Sequence, residues 1–213
     1  MYDTRPNLML GFHGCDESVR DRLVYDPDVI RRSKEVFDWL GHGFYVWENN
    51  YERALQWAED KKKRNPSFGK PAVLGVVYQL DHCLDFTDTV YIRNVERCYE
   101  QMKSDFDILG RTLPRNRSVT GDEHQDMVIR ELDCSVIEYL HDKIDRDIRS
   151  DIQLRGYSEL RHFDTVRGLF TEGGPAFEGA GIRKKNHIQI CIRNFNCIKG
   201  FFIPRKRSPF PQG

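Results

Sequence analysis

Several things are scarce or missing in this sequence of 213 residues. Net charge is one: lysine plus arginine and aspartate plus glutamate both number 33. No strong nonspecific pull on nucleic acid is therefore built in, although local basic patches are still open to it. Long apolar runs are another. No window approaches the roughly eighteen consecutive apolar residues that a membrane-crossing helix requires. The opening "MYDTRPN" has no basic stretch followed by an apolar one, so neither a membrane partner nor a secretory leader is expected. Metal-ligand spacing is also absent. Cys15, Cys83, Cys98, Cys134, Cys191 and Cys197 are scattered, with no CxxC and no ligand-spaced pair joined to a histidine pair, which argues against zinc or another metal. Reduced thiols and a cytoplasmic location are the expectation. Finally, neither GxGxxG nor GxxxxGK followed by Ser or Thr occurs, which leaves Rossmann and P-loop readings without support.

What is present fits one domain, residues 1–204, followed by a basic tail, 205–213, expected to be flexible. Residues 7–13 read as a buried strand, and "PAVLGVVYQL" as the clearest strand, bounded by Pro71 and Asp81. "VRDRLV" and "VIRRSKEVFDWL" lean helical, broken at Pro27, and Ala54 to Lys63 reads as an exposed helix closed by Asn65-Pro66. Apolar residues recur three and four apart in "VERCYEQMKSDFDIL" and in "HQDMVIRELDCSVIEYLHDKI", the second predicted to be the longest helix. "GRTLPRNRSVTGDEH" and "GLFTEGGPAFEGAGIRKKN" read as loops, and "HIQICIRNFNCIKGFFIP" as one or two final strands. Strands at the start, middle and end with helices inserted predict an α+β fold rather than alternating βαβ units.

Three short motifs bear on function: His13-Gly14 after the first strand, Gly41-His42-Gly43-Phe44-Tyr45 entering a helical pattern, and Gln189 on a late strand. Each has an ordinary structural reading. A histidine after a strand is more often a satisfied structural residue than a catalytic one, "GHGFY" can be a turn followed by core aromatics, and "HIQIC" can be only a strand.

In order, however, they resemble the ADP-ribosyltransferase superfamily, in the branch shared by diphtheria toxin and the poly(ADP-ribose) polymerases. The variant with glutamine in the third slot is similar to toxin-like bacterial proteins. The resemblance runs from about Leu8 to Pro204. It implies a split mixed or antiparallel sheet with inserted helices, and NAD+ as co-substrate held between the halves of the sheet. It also implies His13, Tyr45 and Gln189 as the catalytic set. Gly14 would clamp the nicotinamide carboxamide through its backbone, where a side chain would block approach. His13 would donate to the adenosine-side ribose. Tyr45, entered through Gly43 and Phe44, would stack on the pyridinium ring, with Tyr51 or Trp57 closing a sandwich. Cleavage of the glycosidic bond builds positive charge on the ribose. Gln189 carries none to offset it and cannot take a proton, so a second carboxylate becomes of interest. Glu172 and Glu178 are the nearest, with solvated loop charges as the ordinary reading of both. His187 stands where toxins acting on arginine or asparagine carry Glu or Gln, which argues against those acceptors.

The acceptor expected on this reading is RNA or another nucleic acid in preference to protein, and single transfers in preference to polymer. Arg183, Lys184, Lys185 and Arg193 bracket the late strand, Arg205, Lys206 and Arg207 follow it, and Arg111, Arg115 and Arg117 form a second basic loop. Phe195, Phe201 and Phe202 could supply stacking faces. The charge runs also read as a solvated surface. A neutralising antitoxin follows from the resemblance alone. The alternatives are an NAD glycohydrolase, a non-catalytic NAD or ADP-ribose binding module, and, last, a ribonuclease using His13 with His124 or His187.

Overall fold

Apolar residues on alternate positions of the first long strand face two different cores, because successive side chains point to opposite sides of a sheet. In the computed structural model, which describes residues 4–5 and 7–205, that strand is β2, Met9–Asp16. The others are β1 Thr4–Arg5, β3 Phe44–Glu48, β4 Pro71–Tyr78, β5 Asp81–Asp85, β8 Thr165–Phe170, β9 His187–Ile192 and β10 Ile198–Phe202. They form one eight-stranded sheet in the order β1-β5-β8-β9-β3-β2-β4-β10. Among the described strands only β5 and β8 pair in parallel. The mixed sheet with helices on both faces is an α+β architecture. Two residue pairs, β6 Asn116–Arg117 and β7 Ile129–Arg130, make a separate ribbon.

Helix starts are set by side-chain caps. Asp16 accepts from Ser18 N at 2.8 Å to open α1, Glu17–Tyr25. Asn50 accepts from Arg53 N at 3.0 Å to open α2, Tyr51–Arg64. Asp88 accepts from Val90 N at 2.8 Å to open α3, Thr89–Ile108. The longest helix, α4, runs Glu131–Arg155 and ends at Gly156, whose φ of 80° is the left-handed stop that glycine permits.

One sheet face buries Phe44, Val46, Leu74, Val76, Ile190 and Ile192 against Leu23 of α1. The other carries two clusters: Trp47 and Val73 under Ala54 of α2, and Leu84, Val166, Phe170 and Cys191 with Trp39, Leu40 and Leu140 of α4. Burying each large aliphatic side chain contributes about 1.5–3 kcal/mol. On this second face α2 and α4 cover different halves, and Tyr45 and Gln189 lie on it.

Several expectations need correction. "VIRRSKEVFDWL" is not helical beyond a short 3-10 turn at Pro27–Val29. Its backbone is taken by tertiary partners instead: Ser33 N donates to the Gly43 carbonyl at 2.8 Å and Glu35 N to Asp38 Oδ2 at 2.9 Å. α2 is not an exposed helix, since Ala54 and Ala58 are fully buried. α4 starts at Glu131, and the stretch from His124 to Arg130 is loop and ribbon. The strands β3, β5 and β8 were not anticipated, nor were the two-residue β1, β6 and β7; "GHGFY" leads into β3 before α2, and "GLF" belongs to β8. The tail from residue 206, with Lys206 and Arg207, lies outside the described residues.

Candidate functional site

The strands bearing the three motifs are consecutive in the sheet, in the order β9, β3, β2. β3 runs along β9 for four residue pairs, among them Tyr45 opposite Cys191 and Trp47 opposite Gln189. β3 pairs with β2 only at Gly11–Glu48 and Phe12–Trp47. Beyond Phe12 the ladder opens, and His13 spans the opening: its Nδ1 lies 2.7 Å from the Tyr45 carbonyl. A carbonyl only accepts, so Nδ1 carries the proton. Burial pushes the His13 pKa down to about 4 although that hydrogen bond works the other way. The ring is therefore neutral near pH 7 and its Nε2 is an acceptor. A ribose hydroxyl would donate to it, the reverse of the expected polarity.

Side-chain alternation separates the set. Tyr45 and Gln189 lie on the α2/α4 face, whereas the His13 ring turns to the other face and packs on Phe44 with centroids 4.4 Å apart. The Tyr45 hydroxyl accepts from Leu40 N at 2.9 Å and donates to the Gly41 carbonyl at 2.8 Å. Gly41, at φ 78°, permits that turn. Burial holds the Tyr45 pKa well above that of a free phenol. The ring face, not the hydroxyl, is what Tyr45 has to offer a ligand.

Gln189 is fixed by Trp39, whose indole Nε1 donates to Gln189 Oε1 at 2.5 Å. An indole N–H only donates, so the amide oxygen is assigned and the amide NH2 is left as donor. Trp39 meets Phe170 edge-on at 5.2 Å, and the Arg130 guanidinium lies over both rings, 4.8 Å and 4.0 Å from their centroids. Phe170 stacks on the buried His187 at 5.4 Å. The His187 Nδ1 is bonded to the Lys185 carbonyl at 2.7 Å, and burial lowers its pKa to about 4. It too is neutral, with Nε2 as acceptor.

Of the two candidate carboxylates, the structure brings in one. Glu172 forms an ion pair with Arg53, and the two side chains are 14% and 11% exposed. Glu178 is exposed on the glycine-rich loop. The Arg53 Nε and Nη1 and the Trp47 Nε1 are buried without a hydrogen-bond partner. Each such orphan costs about 1–3 kcal/mol unless something supplies an acceptor.

The remaining expected residues pack differently from their assigned roles. A Cβ on Gly14 would run into the Ala54 carbonyl, so on that side α2 lies directly on the strand. On Gly43 it would strike Cys191 Sγ and the Ile192 backbone. Tyr51 packs edge-on against Phe12, centroids 5.7 Å apart, and Trp57 against Trp47, also at 5.7 Å; neither has a ring contact with Tyr45. Arg183 is partly buried beside Pro175, with which it makes a backbone bridge. Arg193 is not a phosphate contact: it pairs with Glu138 and donates to the His42 carbonyl at 3.1 Å. Phe195 and Phe201 pack on the α1-side core, and Phe202 on Phe12 and Gly75. Arg117 pairs with Glu131 at 2.5 Å, and Arg111 and Arg115 are exposed.

The residues missed were Trp39, Trp47, Arg53, Arg130 and Phe170. The period-two signal of Tyr45 and Trp47 was available, whereas Arg130 and Phe170 reach the site only through long-range packing. Cys134, His42 and Glu138 also line up in the order of a thiol, a base and a carboxylate, at 3.9 Å and 3.2 Å. Burial pushes the Cys134 thiol up to about 12, and it donates to the Glu35 carbonyl, so this is a packing arrangement. Among the described residues no group of side chains could hold a metal ion, and no helix is long and apolar enough to cross a membrane. A recess of about 510 Å3 lies elsewhere, lined by Ile148, Ile152, Tyr157, Leu160 and His162. Comparison of the chain with protein-family models, with curated proteins and with solved structures finds no match in any of the three.

Proposed function

We propose that the protein is a mono-ADP-ribosyltransferase that moves ADP-ribose from NAD+ to a macromolecular acceptor, RNA in preference to protein. The observation that supports this most is topological. His13, Tyr45 and Gln189 are far apart in the chain, yet their strands are consecutive, and the sheet opens between the His13 and Tyr45 strands after two residue pairs. On the α2/α4 face the residues present fit a nicotinamide nucleotide through a partly exposed tyrosine face, an amide donor at Gln189 and buried donors without partners, while the His13 ring lies across the sheet.

In this reading Tyr45 stacks on the nicotinamide and the Gln189 amide donates to an oxygen of the nicotinamide-side ribose. His13 accepts from a ribose hydroxyl at the opening and fixes the Tyr45 strand through its carbonyl. As the C–N bond breaks, its electron pair leaves with nicotinamide and the ribose becomes cationic. Glu172, ion-paired with Arg53, takes the acceptor's proton in this reading. As an intracellular enzyme that consumes NAD+ and modifies a macromolecule, such a protein calls for a neutralising antitoxin.

The test is incubation of the purified protein and cell extract with NAD+ labelled in the adenylate, followed by separate digestions. Label removed by ribonuclease is the expected result. Label that survives nuclease but not protease overturns RNA as acceptor, and free ADP-ribose with no labelled macromolecule makes water the acceptor.

A further inference from the structure

Between α2 and α4 the protein holds more hydrogen-bond donors than it uses. Arg53 spends Nη2 on Glu172, while its Nε and Nη1 are buried without an acceptor. Trp47, only 3% exposed, has its indole N–H in the same condition on the same sheet face. His187 ties the two together: its ring is 6.3 Å from that of Trp47, and it lies within the fields of Arg53, Glu172 and Arg130. These three atoms of Arg53 and Trp47 are donors that cannot accept, so whatever completes them must present acceptors.

Charge narrows the choice. Arg53 is paired with Glu172 and Arg130 with Asp133 at 3.8 Å, and Arg53 lies in the first turn of α2, where the helix favours an anion. A phosphate offers several acceptor oxygens together, and as an anion it suits both the remaining Arg53 N–H donors and the helix start. The partly exposed flat face of Trp57 beside it suits a nucleotide better than a bare phosphate.

We propose that Arg53 and Trp47 form a phosphate-binding pocket that takes the diphosphate of a nucleotide. The assignment rests on the reading of this face as a nucleotide site. It adds which residues hold the phosphates.

Isothermal titration of the full-length protein with inorganic pyrophosphate, with ADP and with an unmodified oligoribonucleotide tests it. Pyrophosphate and ADP should bind saturably and compete with each other. Pyrophosphate binding should weaken about tenfold in Trp47→Phe, which keeps an aromatic ring and removes the N–H, and about a hundredfold in Arg53→Gln. If Arg53→Gln does not fold, Trp47→Phe decides. Absence of saturable pyrophosphate binding to the wild type overturns the pocket, as does equal binding by Trp47→Phe. Displacement of pyrophosphate by the oligoribonucleotide but not by ADP overturns its assignment to a nucleotide. Nicotinamide release measured in parallel separates the two ideas. Release without pyrophosphate binding removes this pocket and leaves the transferase, and pyrophosphate binding without release does the reverse.

Discussion

At the scale of single residues, the side chains least conspicuous in the sequence decide most of the geometry. Trp39 is one tryptophan among core aromatics until the chain folds, after which its indole N–H sets the orientation of Gln189. Gly14 has a stricter role than the resemblance assigns it, because the Ala54 carbonyl of α2 occupies the space of a Cβ. Gly14→Ala should therefore destabilise the protein by about 3 kcal/mol through forced movement of α2. A denaturant midpoint equal to that of the wild type would show that the helix yields without cost. Motif order alone grouped His13, Tyr45 and Gln189, and the fold puts their strands side by side. Their division between two sheet faces was not, because it depends on register, and a one-residue change of register reverses every face.

At the scale of elements, caps and periodicity carried most of the information. The Asn50 that opens α2 and the long apolar period of α4 are local signals, and local signals survive folding. Asn50 also fixes the first turn that presents Arg53. Asn50→Ala should cost about 1 kcal/mol of stability, and chemical denaturation followed by circular dichroism measures it. An unchanged midpoint would mean that packing of Ala54 and Ala58 alone sets the helix start. The segment from Val29 to Leu40 failed as a helix for the opposite reason. Its apolar residues sit at helical spacing, but Trp39 and Leu40 are buried by long-range contacts that an extended path serves better. β5 and β8 were missed because charged residues interrupt both. Asp85 and Arg167 are paired with each other, and Arg167 with Glu48, a compensation visible only once the strands are side by side.

At the scale of the whole molecule, an α+β architecture followed from element order, whereas the strand order did not, since no local signal encodes which distant strands meet. Burial also gives the whole protein a pH dependence. His13, His187 and His141 have pKa values lowered to about 4, 4 and 3, against an ordinary value of 6.5. Between pH 6.5 and about 4 the unfolded chain binds protons at these sites and the folded chain does not, so stability rises with pH there. Each histidine adds a slope of up to about 1.4 kcal/mol per pH unit within that window, so its stability contribution is full above 6.5 and lost on acidification. Urea midpoints at pH 7.5 and pH 5 should fall steeply toward acid; a flat profile would mean that these rings are solvated.

The account stands on one surface, the face that carries Tyr45 and Gln189 beside the opened ladder, and nicotinamide release from NAD+ tests it most directly. Purified wild-type protein should release nicotinamide, and Gln189→Ala, folded and with a wild-type thermal transition, should release it about a hundredfold more slowly. Release by Gln189→Ala at the wild-type rate, or none by the wild type, would contradict it.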